Sequence, residues 1–161
     1  MQTAARGMLV AMGFIAIASC GSAPSATDTA ADEAALRTAD ETYMRAFAKG
    51  DLETIVALYA EDAVLLPEYA PEVKGRDAIR KYTVGDIARQ KPGETSTIVE
   101  STQGVSGDLG WSSGTVKNTD ANGAAIGGGK FLSVSRKING KWLYIRDTWN
   151  SDDPPQAAGH Q

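Results

Sequence analysis

The stretch over residues 43–68, YMRAFAKGDLETIVALYAEDAVLLPE, decides the fold of this 161-residue chain. Lys49 and Gly50 predict the end of a helix, because glycine tolerates the left-handed conformation and lysine suits the negative end of the helix dipole. Asp51 predicts the N-cap of a second helix. Apolar residues then recur at helical spacing: Leu52, Ile55, Val56 and Tyr59. A short apolar strand, AVLL over residues 63–66, follows before a proline.

The flanking sequence predicts a long first helix, a third helix and four more strands. The first helix is predicted over residues 28–49, and the third follows residue 77 with an interruption near Gly85. The remainder is rich in glycine, serine and β-branched residues, which predicts strands at 96–103, 109–118, 126–137 and 141–150. Asn139 and Gly140 predict a tight hairpin, because a type I′ turn needs positive φ at both central positions.

This order of elements resembles the nuclear-transport-factor-2-like superfamily, which includes ketosteroid isomerases and SnoaL-like cyclases. The resemblance rests on Tyr43, Gly50-Asp51, Ile55 to Tyr59, Asp62-Ala63, Gly75 to Ile79 and the closing run Trp142 to Asp152. It implies a cone-shaped α+β barrel, in which three N-terminal helices pack on a curved, mainly antiparallel sheet. We expect this domain over residues 30–152, followed by a disordered tail over residues 153–161.

The N-terminus is typical of a bacterial lipoprotein signal. The apolar run over residues 8–18 follows a basic residue and is too short to span a bilayer. Residues 17–20, IASC, resemble a lipobox, in which a lipidated Cys20 becomes the first mature residue. We therefore expect a signal peptide over residues 1–19 and a small, polar, disordered tether over residues 20–29.

The residue after Cys20 indicates the destination, by resemblance to lipoprotein sorting rules. Gly21 is not aspartate, which favours the periplasmic side of the outer membrane, with the lipid as the only membrane attachment. A secreted protein and an inner-membrane anchor are the alternatives. Each buried methylene contributes about 0.8 kcal/mol, so several acyl chains hold a domain at a membrane. Cys20 is the only cysteine, which rules out an intrachain disulfide.

Composition argues against several classes of partner and cofactor. The net charge is −4, and nucleic-acid binding needs a basic stripe. The only short basic cluster is more typical of a solvated helix face: Lys74, Arg76, Arg80 and Lys81. With one histidine and no clustered cysteine, a built-in zinc site is not expected. We expect no metal, no organic cofactor and no nucleic-acid partner.

Two motifs resemble catalytic loops without the required context. Residues 110–114, GWSSG, match a nucleophile elbow, but Ser112 lies inside a predicted strand rather than at a strand-to-helix turn. Residues 127–130, GGGK, lack the first glycine of a phosphate loop, because Ala124 occupies its position, and Phe131 replaces the required hydroxyl residue. The three glycines instead predict a bend or bulge in a curved sheet.

Alternation along the last strand predicts which side chains enter the cone. Ile145, Asp147 and Trp149 share one face, and Trp142 and Tyr144 share the other. The family's strand order places the first set inside. The expected ligand-binding residues are Leu66, Trp111, Leu132, Val134, Ile145 and Trp149. Trp142 and Tyr144 are then expected on the outer sheet face, where relatives commonly pair as dimers.

Tyr43 aligns with the tyrosine that ketosteroid isomerases use as an oxyanion-hole donor, and a buried phenol is a good donor to a carbonyl oxygen. The isomerase's general base falls at Pro67, and its second acid falls within residues 130–135, where no carboxylate occurs. An isomerase mechanism would therefore recruit Glu68, Glu72 or Asp147 instead.

Asp147 is the most informative of these carboxylates. Pointing inward beside Trp149, it needs either a raised pKa or a specific partner such as Tyr43. The alternative is a structural hydrogen bond from a tyrosine or asparagine that fixes the helix on the sheet, and the absence of a companion base favours it.

Three functions stay open from the sequence. The first is a membrane-anchored periplasmic domain that binds a small apolar molecule, with no reaction assigned. The second is a proton-transfer enzyme of isomerase, cyclase or dehydratase type that uses Tyr43 with Asp147 or Glu68. The third is a non-catalytic module that forms homodimers through the outer sheet face.

Overall fold

The computed structural model describes residues 26–153, with side chains from residue 29 onward. The predictions for the signal peptide, Cys20, most of the tether and residues 154–161 lie outside this range. The helices are α1 (Ala26–Lys49), α2 (Leu52–Ala57) and α3 (Arg76–Arg89). The strands are β1 (Tyr59–Leu66), β2 (Val73–Lys74), β3 (Thr95–Ser106), β4 (Leu109–Thr119), β5 (Ala125–Ile138) and β6 (Lys141–Ser151). None of the helices within residues 26–153 has the length and apolar character needed to cross a membrane.

The six strands form one sheet in the order β2-β1-β6-β5-β4-β3. β1 pairs parallel to β6, and all other neighbouring strands are antiparallel. α1 packs mainly on β3 and β4, whereas α3 packs on β1. The predicted α+β cone is confirmed: N-terminal helices cover one side of a curved, mainly antiparallel sheet.

The junction between α1 and α2 forms as its sequence predicts. Gly50 adopts φ +67°, and the backbone N–H of Asp51 donates to Ala46 O at 2.9 Å. Asp51 caps α2, because its Oδ1 accepts from Thr54 N at 3.1 Å and its Oδ2 accepts from Thr54 Oγ1 at 2.7 Å. The hairpin at Asn139 and Gly140 is also confirmed, with φ values of 51° and 78°.

The run of three glycines lies where β5 begins. The β4–β5 register shifts by one residue between Asn118 and Thr119, so the expected bulge is present opposite this run. A Cβ on Gly129 would lie 2.4 Å from the carbonyl oxygen of Asn150. Glycine therefore lets β5 and β6 approach each other at this point.

Three local predictions were wrong. Tyr59 begins β1 instead of ending the second helix, because it pairs with Tyr144 of β6. α3 continues through Gly85, since burial of Ile79 and Thr83 holds the helix and one interior glycine costs only about 1 kcal/mol. α1 begins at Ala26, before the expected domain start.

A bulge in β6 changes which side chains face the helices. Ser135 pairs with Tyr144, but Val134 pairs with Arg146, which leaves Ile145 as an extra residue. The extra residue reverses the alternation, so Tyr144 and Asp147 lie on the same face although they are three positions apart. Trp142 and Tyr144 are therefore buried towards α1, and their predicted placement on the outer sheet face was wrong.

Candidate functional site

A cavity of about 320 Å³ lies between α1, α3 and the sheet. Its walls are mainly apolar and aromatic: Met44, Phe47, Val116, Phe131 and Trp149. The exposed lining residues Lys130, Asn150 and Ser151 mark its mouth. Along β6, the lining residues run from this mouth inward through Asp147 to Tyr144.

Asp147 lies in the wall of this cavity and is 9% exposed. The Tyr59 hydroxyl donates a hydrogen bond to Asp147 Oδ2 at 2.5 Å, and Tyr59 itself is 1% exposed. Burial raises the pKa of Asp147 to about 6, against the hydrogen bond from Tyr59, and the charge of Asp40 raises it further. The partner of Asp147 is thus Tyr59, which the sequence prediction had placed in a helix.

Tyr43 lines the same cavity from α1. Its ring stacks on Phe47, with centroids 6.2 Å apart. Burial raises the pKa of the Tyr43 phenol far above its usual value, and the negative charge of Asp147 raises it further. The phenol therefore remains protonated and can donate a hydrogen bond to a bound oxygen.

A second pair of carboxylate and tyrosine lies at the inner end of the cavity. The Tyr144 hydroxyl donates to Asp40 Oδ1 at 2.8 Å, while Asp40 Oδ2 is buried with no hydrogen-bond partner among the described residues. Burial raises the pKa of Asp40, against the hydrogen bond from Tyr144 and weaker interactions with the side chains of Ser112 and Gln103. The sequence analysis missed Asp40, although it lies at helical spacing between Leu36 and Tyr43 on the apolar face of α1. A charged residue on the apolar face of a helix is the feature of the sequence that could have identified Asp40.

A row of polar side chains crosses four strands beside these pairs. Gln103, Ser112, Ser133 and Asp147 are successive cross-strand partners on β3, β4, β5 and β6. The Ser133 hydroxyl is buried without a hydrogen-bond partner within the described part of the chain, whereas the Ser112 hydroxyl interacts with Asp40. Ser112 lies inside β4 and no helix follows it directly, so the sequence GWSSG does not form a nucleophile elbow.

Glu68 also lines the cavity, in the loop after β1. Its Oε2 accepts a hydrogen bond from the backbone N–H of Ser151 at 3.0 Å, which ties it to the mouth. Tyr43, Glu68 and Asp147 therefore line one cavity, as the sequence predicted, with Glu68 at its rim.

Of the six expected ligand-binding side chains, only Trp149 lines this cavity. Leu66, Trp111 and Leu132 are 42%, 41% and 47% exposed. Leu132 and Val134 alternate with the inward-facing Ser133 and Ser135, and Ile145 is buried in the core cluster with Ile55 and Ile79. The prediction for these residues was wrong because it assumed unbroken alternation along β6.

Comparison with known proteins agrees with this architecture. The model of the SnoaL-like domain family matches residues 41–145. The chain belongs to the SnoaL-like domain family. In this SnoaL-like domain, Asp40 and Asp147 both lie just outside the matched range, so the family match does not itself account for either carboxylate. The sequence has no significant match among curated proteins.

Solved structures share the fold of this SnoaL-like domain at low sequence identity. A protein of unknown function with a cystatin-like fold from Nostoc punctiforme is 20% identical, with a TM-score of 0.72 over 79% of this chain and 95% of that chain. A nuclear-transport-factor-2-like protein of unknown function from Pseudomonas putida is 21% identical, with a TM-score of 0.71 over 80% and 92%. A ketosteroid isomerase-like protein from Erwinia carotovora atroseptica is 22% identical, with a TM-score of 0.64 over 76% and 98%.

Proposed function

We propose that this SnoaL-like domain binds a small, largely apolar molecule in the cavity and transfers a proton on it, with Asp147 as the base. The observation that carries the proposal is a buried carboxylate in the wall of an apolar cavity, held by Tyr59 at 2.5 Å, with a pKa of about 6. A general base is most effective when its pKa lies near the working pH.

The proposed reaction divides the work between three side chains. Asp147 is largely ionised at pH 7 and accepts a proton from a carbon or hydroxyl of the bound molecule. Tyr43 donates a hydrogen bond to the oxygen on which negative charge develops. Tyr59 holds one carboxylate oxygen of Asp147 and thereby fixes its orientation. This set supports chemistry of the isomerase, cyclase or dehydratase type.

Glu68 lies at the rim of the cavity and is less suited than Asp147 to transfer the proton. It is partly exposed, and its carboxylate already accepts a backbone hydrogen bond from Ser151. We therefore assign the proton transfer to Asp147 and use Glu68 as the matched control.

Deuterium exchange tests this assignment. The full chain is incubated in D2O with a panel of cyclic ketones and diketones, and incorporation at the carbon next to the carbonyl is followed by mass spectrometry. We expect exchange that Asp147→Asn lowers about a hundredfold or more and that Glu68→Gln retains. Exchange that survives in Asp147→Asn would place the base elsewhere. If ligands stabilise the domain but none of them incorporates deuterium, the domain binds these molecules without catalysing this reaction.

We also propose that the domain is tethered to the periplasmic side of the outer membrane through a lipid on Cys20. The support is the lipobox-like sequence, which lies outside the described residues. Fractionation of cells that express the chain should place it in the membrane, and Cys20→Ser should release it. Wild-type chain found entirely in the soluble fraction would end this proposal.

A homodimer through the outer sheet face is proposed on a revised set of residues. Leu66 and Leu132 flank Thr148 across neighbouring strands, and Trp111 lies diagonally from Leu132 on the same face. These three side chains are exposed, unlike Trp142 and Tyr144. Sedimentation at micromolar concentration should give a dimer that Trp111→Glu dissociates, and a wild-type monomer would contradict it.

A further inference from the structure

We infer that the molecule bound in this cavity carries a protonated amine, which Asp40 and Ser133 hold at the inner end. The inference deepens the proposed binding function and rests on it. It depends on the charge inside the cavity, on unpartnered polar atoms there and on the aromatic walls.

The charged side chains that line the cavity are mostly acidic: Asp40, Glu68, Asp86 and Asp147, against the single base Lys130. Lys130 forms an ion pair with Asp152, and Asp86 forms one with Arg89. In the described part of the chain, no lysine or arginine forms an ion pair with Asp40 or Asp147. A cationic ligand would supply the missing counter-charge, whereas an anionic ligand would be repelled.

Unpartnered acceptors lie at the inner end. Asp40 and Ser133 are 4% and 2% exposed, both line the cavity, and Asp40 Oδ2 and Ser133 Oγ have no hydrogen-bond partner among residues 29–153. Ser112, which is the cross-strand neighbour of Ser133, does not line the cavity and interacts with Asp40 instead. An ammonium group has three N–H donors and no acceptor, so its donors match this set.

The cavity walls also suit an organic cation. Tyr43, Phe47, Phe131 and Trp149 all line the cavity, and aromatic faces attract ammonium groups while they shield the apolar body of the ligand. Asp40 reaches the cavity from α1 and Asp147 from β6, so the two carboxylates approach a bound molecule from different elements. Asp40 anchors the cation, and Asp147 stays available for the proton.

Three ligands of one shape test the inference: tryptamine with an ammonium, tryptophol with a hydroxyl and indole-3-acetate with a carboxylate. Their binding to the full chain is measured by titration calorimetry at pH 7.5. We expect tryptamine to bind about tenfold or more tightly than tryptophol, and indole-3-acetate to bind least. Asp40→Asn should lower tryptamine affinity about tenfold and leave tryptophol affinity within about threefold.

A second variant keeps the test valid if Asp40→Asn fails to fold. Ser133→Ala keeps the charge and should lower tryptamine affinity by about threefold to tenfold. Equal affinity for tryptamine and tryptophol would overturn the amine inference but leave the cavity as a binding site. Tight binding of indole-3-acetate, or tryptamine affinity unchanged in both variants, would overturn it as well. No binding by any of the three overturns it, whereas the ketone panel decides the proposed function independently.

Discussion

The two carboxylate–tyrosine pairs of the cavity share their chemistry but differ in their surroundings. Asp147 accepts from Tyr59 and lies in the cavity wall closer to the mouth. Asp40 accepts from Tyr144 at the inner end, and its Oδ2 has no hydrogen-bond partner among residues 29–153. Burial raises the pKa of both. Two acids with different environments in one cavity are typical of sites that assign separate roles to each. Making the same substitution in each pair therefore tests how far the roles of the two pairs differ.

The largest expected difference is in catalysis. Asp147→Asn should lower the rate constant for deuterium exchange by about 100-fold to 10,000-fold, because an amide cannot accept the proton. Asp40→Asn should lower that rate constant far less for a neutral ketone, because Asp40 acts on the Asp147 base only through its charge, which raises the Asp147 pKa. Exchange assays at saturating ketone separate the two effects, and equal losses in both variants would contradict the division of roles.

The next difference is in the dependence of stability on pH. The pKa of Asp147 is about 6 in the folded domain, above the value of about 3.9 for an unfolded chain. The folded state therefore binds more protons than the unfolded state between pH 4 and 6, so this group makes the domain less stable as the pH rises through that window. A shift of this size corresponds to about 3 kcal/mol in the free energy of unfolding.

Urea denaturation at pH 4.5, 6 and 7.5 measures this dependence. Asp147→Asn should flatten the profile and raise stability at pH 7.5. Asp40→Asn should remove the part that the raised pKa of Asp40 contributes and lower the pKa of Asp147, because the charge of Asp40 helps to raise it. A wild-type domain whose stability rises steadily from pH 4.5 to 7.5, with the same profile in Asp147→Asn, would show that the Asp147 pKa is not raised.

The sequence predicted the frame of the cavity better than its lining. Gly50-Asp51 and Asn139-Gly140 specify their turns through local backbone chemistry, so the elements that they separate were found. Asp147 and Trp149 were placed inside correctly. The bulge at Ile145 has no local signature, because it depends on how β5 pairs with β6.

The extra residue at Ile145 changes which side chains of β5 and β6 face inward, compared with the sequence prediction. Trp142 and Tyr144 face inward and not outward as predicted. Leu132 and Val134 pair with the outward-facing Thr148 and Arg146, so they face outward as well. Tyr59 was missed for a related reason, since its strand character comes from pairing with β6 and not from its helix-like spacing. Asp40 was detectable in the sequence, but a single acid on an apolar helix face does not reveal which tyrosine will bind it.

The tyrosines should differ in their contribution to stability. Tyr144→Phe removes the 2.8 Å hydrogen bond to Asp40 Oδ1 and leaves the buried carboxylate with only the weaker interactions of Ser112 and Gln103. We expect it to lower the free energy of unfolding by about 2 kcal/mol. Tyr59→Phe should cost about 1 kcal/mol, because Asp147 lies nearer the mouth, where water can replace the lost donor. Denaturant titrations of both variants at pH 7.5 test the order. Combining Tyr144→Phe with Asp40→Asn should recover part of the loss, and a larger cost for Tyr59→Phe would reverse the comparison.

The smallest expected effect concerns the serines beside the inner pair. The Ser133 hydroxyl is buried without a hydrogen-bond partner in the described structure, so Ser133→Ala removes a polar group that is already a cost to the fold. We expect the free energy of unfolding to change by no more than about 0.5 kcal/mol or to rise. Thr83 provides the contrast, because its buried hydroxyl donates to Ile79 O at 2.9 Å, and Thr83→Val should cost about 1 kcal/mol. Should Ser133→Ala cost as much as Thr83→Val, the serine oxygen has a partner in solution, and the acceptor open to an amine would be Asp40 alone.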